Sequence, residues 1–307
     1  MYIAVSRKAM HDVFEVSYPR LEYPQGTAAA LDALDEVERI ESQLSVFRFD
    51  SRIHLVNLTA HESPVHLDDE IFGLITLCQK LAEDTGGAVD ITSGKLWKVW
   101  GFAKRNGSFP TDEDLQSARE CSGFHLLELD AENKTVFFKQ PGVELNFGCV
   151  GKGFALDRSS QKLASHGVDR YLFQGGLSSV LAAGGGWKIG IAHPLLAGQR
   201  LRELELNTIA VSTSGAQKQY FRYQGRRYSH LIDPRSGEPA DGVLSVTVLA
   251  KTATLAELLS TAFFVLGAEK TQQYISGNVY LQQNAVEAVM FVPSNKAPGF
   301  QELRFIV

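Results

Sequence analysis

Two polar stretches in the second half of the chain hold the residue types that chemistry needs. Val211-Ser212-Thr213-Ser214-Gly215 and Ser229-His230-Leu231-Ile232-Asp233-Pro234-Arg235-Ser236-Gly237 set hydroxyls, an imidazole, a carboxylate and a guanidinium between apolar strand-like runs. Polar groups carried by loops on a rigid scaffold are where binding and catalysis concentrate. His230 can move a proton near neutrality, which few side chains can. Taken alone it equally suits a hairpin corner, because Asp233-Pro234-Arg235-Ser236-Gly237 is a turn signature. Gly148-Cys149-Val150-Gly151-Lys152-Gly153 marks a strand-to-helix junction, where backbone N–H groups and Lys152 would face an anion. It is not a G-x-x-x-x-G-K-[ST] loop, since Asn146 holds the first glycine position and Gly153 the Ser/Thr position. Glu257 and Thr261 lie i,i+4 on one helix face, an oxygen pair suited to a hard cation such as Mg²⁺. Thr254-x-x-Glu257 also reads as a capping box.

The elements that must position these groups follow from periodicity. Residues 12–18 alternate as a strand. Thr27 reads as the N-cap of a helix reaching residue 45, with Leu31, Leu34, Val37, Ile40 and Leu44 on one face. A second helix spans 68–84, with Ile71, Leu74, Leu77 and Leu81 on one face, and stops at Gly86-Gly87. Residues 88–110 read as irregular, and a short helix follows Thr111, with Asp114 completing a loose capping box. A hairpin joins 124–130 to 135–139, then come a strand at 143–147 and a helix at 151–166. Strands are expected at 169–174, 187–192 and 200–212, with a hairpin turning at Gln224-Gly225. A strand at 243–250, a helix over 254–266 and strands near 286–292 and 302–307 end the reading. Helices interrupting runs of hairpins indicate α+β, not a doubly wound parallel sheet.

The 307 residues suit one large domain or two closely joined ones, and 44% hydrophobic with 21% charged residues supports a full core. A net charge of −5 offers no basic excess for a phosphate backbone, so nucleic acid is not expected as a partner. Cys78, Cys121 and Cys149 lack C-x-x-C spacing and read as reduced thiols. Neither a signal-peptide pattern nor an apolar run of membrane-spanning length is present, and a cytoplasmic protein is expected.

Taken in order, these segments resemble the ApbE family, the FAD:protein FMN transferases. The landmarks, running from about Met10 to Gly267, are Leu44-Ser45-Val46-Phe47-Arg48-Phe49-Asp50-Ser51, Thr85-Gly86-Gly87-Ala88-Val89-Asp90-Ile91-Thr92, Trp100-Gly101-Phe102, Gly151-Lys152-Gly153-Phe154-Ala155-Leu156-Asp157, the Gly175-Gly176 turn, Trp187-Lys188-Ile189-Gly190-Ile191 with Pro194, the two polar stretches, and Ala256-Glu257-Leu258-Leu259-Ser260-Thr261-Ala262. The resemblance implies an α+β fold of mainly antiparallel sheets with packed helices, internally duplicated and T-fold-like. It implies one catalytic domain over 1–307, divisible into halves of about 1–145 and 146–307, as a monomer or homodimer. FAD is the implied substrate, with Mg²⁺ at its pyrophosphate. A threonine of an acceptor protein is expected to receive FMN as AMP leaves. By motif position Met10, Phe47, Ala88, Val89, Asp90, Asn146, Lys152, His230 and Leu231 are expected at the flavin nucleotide. Glu257, Thr261 and the backbone carbonyl of Cys149 are expected at the metal, His230 as proton acceptor and Lys152 as a charge supplied to phosphoryl transfer.

The chain departs from the family's usual residues at four places. Glu257 and Asn146 replace aspartates, Ala216 replaces an acidic or amide residue, and His11-Asp12 replaces Gly-Thr after Met10. An FAD-binding relative without transfer, and an FAD hydrolase yielding FMN and AMP, are the alternatives these departures raise.

Overall fold

The computed structural model describes residues 1–307 apart from Arg105, Asn106 and Lys218. Strands β1 (Tyr2–Ala9) and β2 (Asp12–Pro19) open the chain, followed by helices α1 (Gly26–Leu44) and α2 (Arg52–Thr59). Next come β3 (Val65–His66), α3 (Asp69–Asp84), α4 (Gly94–Val99), α5 (Asp112–Glu120), β4 (Leu127–Asp130) and β5 (Thr135–Phe138). The second half holds α6 (Gly151–Ser165), β6 (Tyr171–Gly175), β7 (Ser179–Ala183), β8 (Trp187–Ala192), β9 (Arg200–Leu206) and β10 (Ile209–Gly215). It closes with β11 (Tyr220–Tyr223), β12 (Arg226–Ser229), β13 (Ser245–Ala250), α7 (Ala253–Ile275), α8 (Val279–Gln283), β14 (Glu287–Pro293) and β15 (Phe300–Ile306).

Eight strands form one sheet in the order β1-β2-β6-β7-β10-β13-β14-β15, every neighbouring pair antiparallel. Alternation decides which face each side chain serves. Phe173, Leu181 and Ala210 join the core under α1, α6 and α7, while Leu172, Val180, Ala182 and Val211 point the other way, onto Trp187 and Leu206 of the β8–β9 hairpin. The fold is α+β with antiparallel sheets, as the interrupted hairpins predict. Among the described residues no helix is long and apolar enough to cross a membrane.

Local chemistry fixes several boundaries. Asp68 caps α3 by accepting from Ile71 N–H, and Thr111 caps α5 by accepting from Asp114 N–H while its hydroxyl donates to the Asp114 carboxylate. Gly86 and Gly87 take positive φ of 60° and 81° beyond α3, and Gly87 N–H returns to the Ala82 carbonyl at 2.7 Å.

Other expectations need correction. Thr27 is not the α1 cap: the helix begins at Gly26 after Gln25, and the Thr27 hydroxyl sits 2.7 Å from Tyr18 Oη. Leu31 is exposed. Residues 94–99 are helical, not irregular. Residues 143–147 form no ladder beyond a bridge from Ser93 to Glu144, because loop contacts satisfy them instead: the Asn57 amide brackets Leu145, and Asn146 N–H donates to the Ile91 carbonyl. The run 200–212 is two strands, and α7 continues past residue 266 through a non-helical Gly267 at φ 71°.

Candidate active site

A cleft of about 640 Å³ opens where loops from both halves of the chain meet one end of the large sheet. All the residues expected at the flavin or the metal line it, from Met10 and Phe47 through Ala88, Val89, Asp90, Asn146, Cys149, Lys152, His230 and Leu231 to Glu257 and Thr261. Its volume is in the ordinary range for a sizeable ligand. Ala216 is absent from the lining: its N–H donates to the Leu244 carbonyl at the end of β10, and its side chain packs on the core.

Met10 arrives on a two-residue hairpin turn. Ala9 pairs with Asp12, and both Met10 and His11 have positive φ, 50° and 60°. That geometry normally favours Asn-Gly, so two ordinary side chains there hold strained backbone at the cleft wall. His11 meets the edge of the Phe47 ring at 5.4 Å, and Phe47 in turn meets Trp97 at 6.4 Å. Phe102 lies 6.4 Å from the His230 ring. The cleft therefore has an aromatic side.

A polar side is built by two helix N-termini that cap each other. Glu257, only 4% exposed, sends Oε2 to the N–H of Gly153 in the first turn of α6 at 2.5 Å. Asp157 of α6 answers by accepting from the N–H groups of Ala253 and Thr254 at the start of α7, each at 2.8 Å. Each carboxylate thus faces the positive end of the other helix. The helices approach this closely because residue 153 is glycine: a Cβ there would lie 2.6 Å from the Ala253 carbonyl carbon. Thr254-x-x-Glu257 is accordingly no capping box. Thr252 caps α7, Thr254 donates to Asp157, and Glu257 reaches across to α6. Burial pushes the Asp157 carboxyl up, against the pull of its hydrogen bonds from Thr254 and Ala253.

Glu257 Oε1 also takes Lys152 Nζ at 3.1 Å and the Ser179 hydroxyl at 3.0 Å. The charge of Glu257 raises the Lys152 pKa above its ordinary value, overcoming the opposing effect of burial. Beside this pair runs a belt of hydroxyls, with Ser214 Oγ 2.9 Å from Ser260 Oγ and 3.3 Å from Thr261 Oγ1. Burial, reinforced by Glu257, pushes the Cys149 thiol to about 12, so it stays protonated at neutral pH and only its carbonyl is a reasonable cation ligand. Among the described residues no three His, Cys, Asp or Glu side chains converge. The available donors, one carboxylate with hydroxyl and carbonyl oxygens, fit a hard ion of the magnesium kind and not a soft one.

Asp90 lines the cleft, but its carboxylate is held by Thr92 N–H and Oγ1 and by Phe124 N–H, at 2.6–2.8 Å. Burial raises its pKa. It braces the loop after α3. Asn146 similarly accepts from Gly148 N–H at 2.8 Å and shapes the turn into α6.

His230 follows β12, and its Nδ1 lies 3.1 Å from the Gln219 carbonyl. A carbonyl only accepts, so Nδ1 carries the proton and Nε2 is the basic nitrogen. The Asp233 carboxylate accepts from the backbone and guanidinium of Arg235 within the following turn. Gln219, Ser179 and Asp157 are the structural supports that local sequence reading missed. Their partners lie 11, 78 and 96 residues away, so no local pattern signals them.

Comparison with known proteins gives the family of the chain. The ApbE family pattern matches residues 10–290. A FAD:protein FMN transferase of Haemophilus influenzae is 31% identical over 299 residues, covering 91% of this chain and 86% of the relative. One from Vibrio cholerae is 30% identical over 274 residues, covering 87% and 79%. The crystal structure of the ApbE protein of Thermotoga maritima superposes with a TM-score of 0.87 at 27% identity, covering 99% of this chain and 97% of that one. The flavin transferase ApbE from Vibrio cholerae gives 0.86 at 26%, with the same coverage. With a matching pattern over most of its length and relatives of this similarity, the chain belongs to the ApbE family.

Proposed function

We propose that the cleft binds FAD and transfers its FMN portion to a threonine hydroxyl of an acceptor protein, releasing AMP. The observation that carries this reading is that two unlike groups line one cleft: an imidazole whose Nδ1 is held by a backbone carbonyl, and a buried cation–carboxylate pair where α6 and α7 cap each other. The aromatic side suits a flat ring, and the helix ends with Lys152 suit a pyrophosphate. Glu257, Thr261 and the Cys149 carbonyl would hold Mg²⁺, which supplies charge neutralisation to the phosphates when bound.

In the proposed step Nε2 of His230 takes the threonine hydroxyl proton as that oxygen attacks the phosphorus on the FMN side. The phosphorus–oxygen bond to the AMP half breaks, and AMP leaves with the bridging oxygen. Lys152 holds phosphate oxygens as charge moves onto them, and Gln219 keeps the imidazole tautomer. Phosphoryl transfer is mostly positioning and neutralisation, so few groups suffice.

Comparing His230→Ala with the wild type tests the assignment. Flavin binding should persist while the yield of FMN-modified threonine peptide falls ~10²–10⁴-fold, the usual worth of a general base. An unchanged transfer rate would remove His230 from the chemistry.

A further inference from the structure

We infer that Lys152 is a placeholder cation for Glu257, and that an incoming divalent ion must displace it from that carboxylate. The inference rests on the proposed cation site at Glu257 and Thr261. Both oxygens of Glu257 are already engaged, Oε1 by Lys152 Nζ and Ser179 Oγ, Oε2 by Gly153 N–H. Such a buried carboxylate needs a compensating charge, and Lys152 provides it. The other donors expected at the ion, Thr261 Oγ1 and the Cys149 carbonyl, are neutral, and the Asp90 carboxylate is engaged by Thr92 and Phe124. A divalent ion would therefore depend on the Glu257 charge, and it cannot share Oε1 with an ammonium, because two cations on one oxygen repel strongly where solvent is scarce.

The two helices make this exchange feasible. Gly153 N–H is fixed in the first turn of α6 and Ser179 in β7, so two uncharged donors keep hold of the carboxylate whichever cation is present. Lys152 is different, being a long flexible side chain that is 22% exposed and already lines the cleft. Once displaced, it turns to the anion that arrives with the metal. Metal entry and delivery of Lys152 to the phosphates become one event.

The test titrates Mn²⁺ into the full-length, flavin-free protein and follows the free ion by electron paramagnetic resonance. With the competitor gone, Lys152→Met should bind Mn²⁺ at least about tenfold more tightly, the scale of close charge-pair couplings. Lys152→Arg, which can still pair with Glu257, should stay within about twofold of wild type on the same scale. Glu257→Gln should lose binding. Equal affinity in wild type and Lys152→Met, with Glu257→Gln still weak, would overturn the exchange and leave the metal site standing. Mn²⁺ binding unaffected by Glu257→Gln, or none in any variant, would overturn the metal site and the exchange with it. Should Lys152→Met fail to fold, acylation of Lys152 in the wild type serves instead. Labelling should rise several-fold when Mg²⁺ is added, and unchanged labelling would count against the exchange.

Discussion

Gly153→Ala and Gly73→Ala are the same substitution in two helices, and the structure gives them opposite signs. At Gly153 a new Cβ would sit 2.6 Å from the Ala253 carbonyl carbon and 2.9 Å from Thr254 N, and closer still to the Ala253 oxygen. Favourable carbon contacts need about 3.5–4.0 Å, so α6 and α7 would have to part by about 1 Å. Alanine gains ~1 kcal/mol of helix propensity over glycine. Against this stand an overpacking cost of ~1–3 kcal/mol and the loosening of a charge-assisted hydrogen bond worth ~1.5–3 kcal/mol. That bond is the Gly153–Glu257 contact at 2.5 Å. The balance is a net loss of roughly 1.5–5 kcal/mol. Gly73 lies exposed in α3, with nothing within 4 Å of its would-be Cβ, so only the propensity gain of ~1 kcal/mol remains. Urea unfolding of both variants and the wild type, compared at constant m-value, reads the difference directly. If Gly153→Ala proved as stable as wild type, the reciprocal capping of α6 and α7 would be wrong as drawn.

Three further outcomes follow from the same site. Asp157→Asn should lower unfolding free energy by ~1–3 kcal/mol, because the amide keeps one acceptor oxygen and its NH₂ donates, so one of the Ala253 and Thr254 N–H groups loses its partner; urea melts check this, and no loss would mean the cap is dispensable. Lys152 should give an alkaline signature. Its folded pKa is raised above 10.5 by Glu257, so the pair's stabilisation is fully present below 10.5 and is lost as pH rises through the folded value. Melting temperature should therefore fall more steeply above pH 10.5 in wild type than in Lys152→Met, and parallel curves would refute the assignment. Gln219 holds His230 through its backbone carbonyl, so Gln219→Ala should leave transfer within about threefold of wild type, far short of the loss expected for removing the base itself; a loss matching His230→Ala would show that the side chain, not the carbonyl, is needed.

Much of the fold was legible where signals are local. The Thr111 cap and the Gly86-Gly87 stop lie within a turn of the helices they delimit, and they stand as expected. Legibility failed where tertiary contacts decide. Residues 143–147 look like a strand, but the Asn57 amide and the Ile91 carbonyl take their backbone groups. Strand β7 was hidden between glycine turns, α2 and α4 are too short for a clear period, and β1 is an edge strand that is exposed or half-buried along most of its length. The site divides in the same way. Its lining could be named because the motifs fall in a recognisable order, and the structure gathers every one of those residues at one cleft. How each is held there was not legible: Asp90 and Asn146 accept from backbone N–H groups of neighbouring loop residues, and Glu257 accepts from Gly153 across to α6.

The central claim is transfer of FMN to a threonine rather than to water. Its most direct test follows AMP and peptide mass together, with FAD and Mg²⁺ supplied, in the presence and absence of a threonine-bearing peptide. The account predicts that AMP appears only with the peptide, in step with an FMN phosphoester on its threonine. AMP released equally without peptide, and no modified threonine, would contradict it.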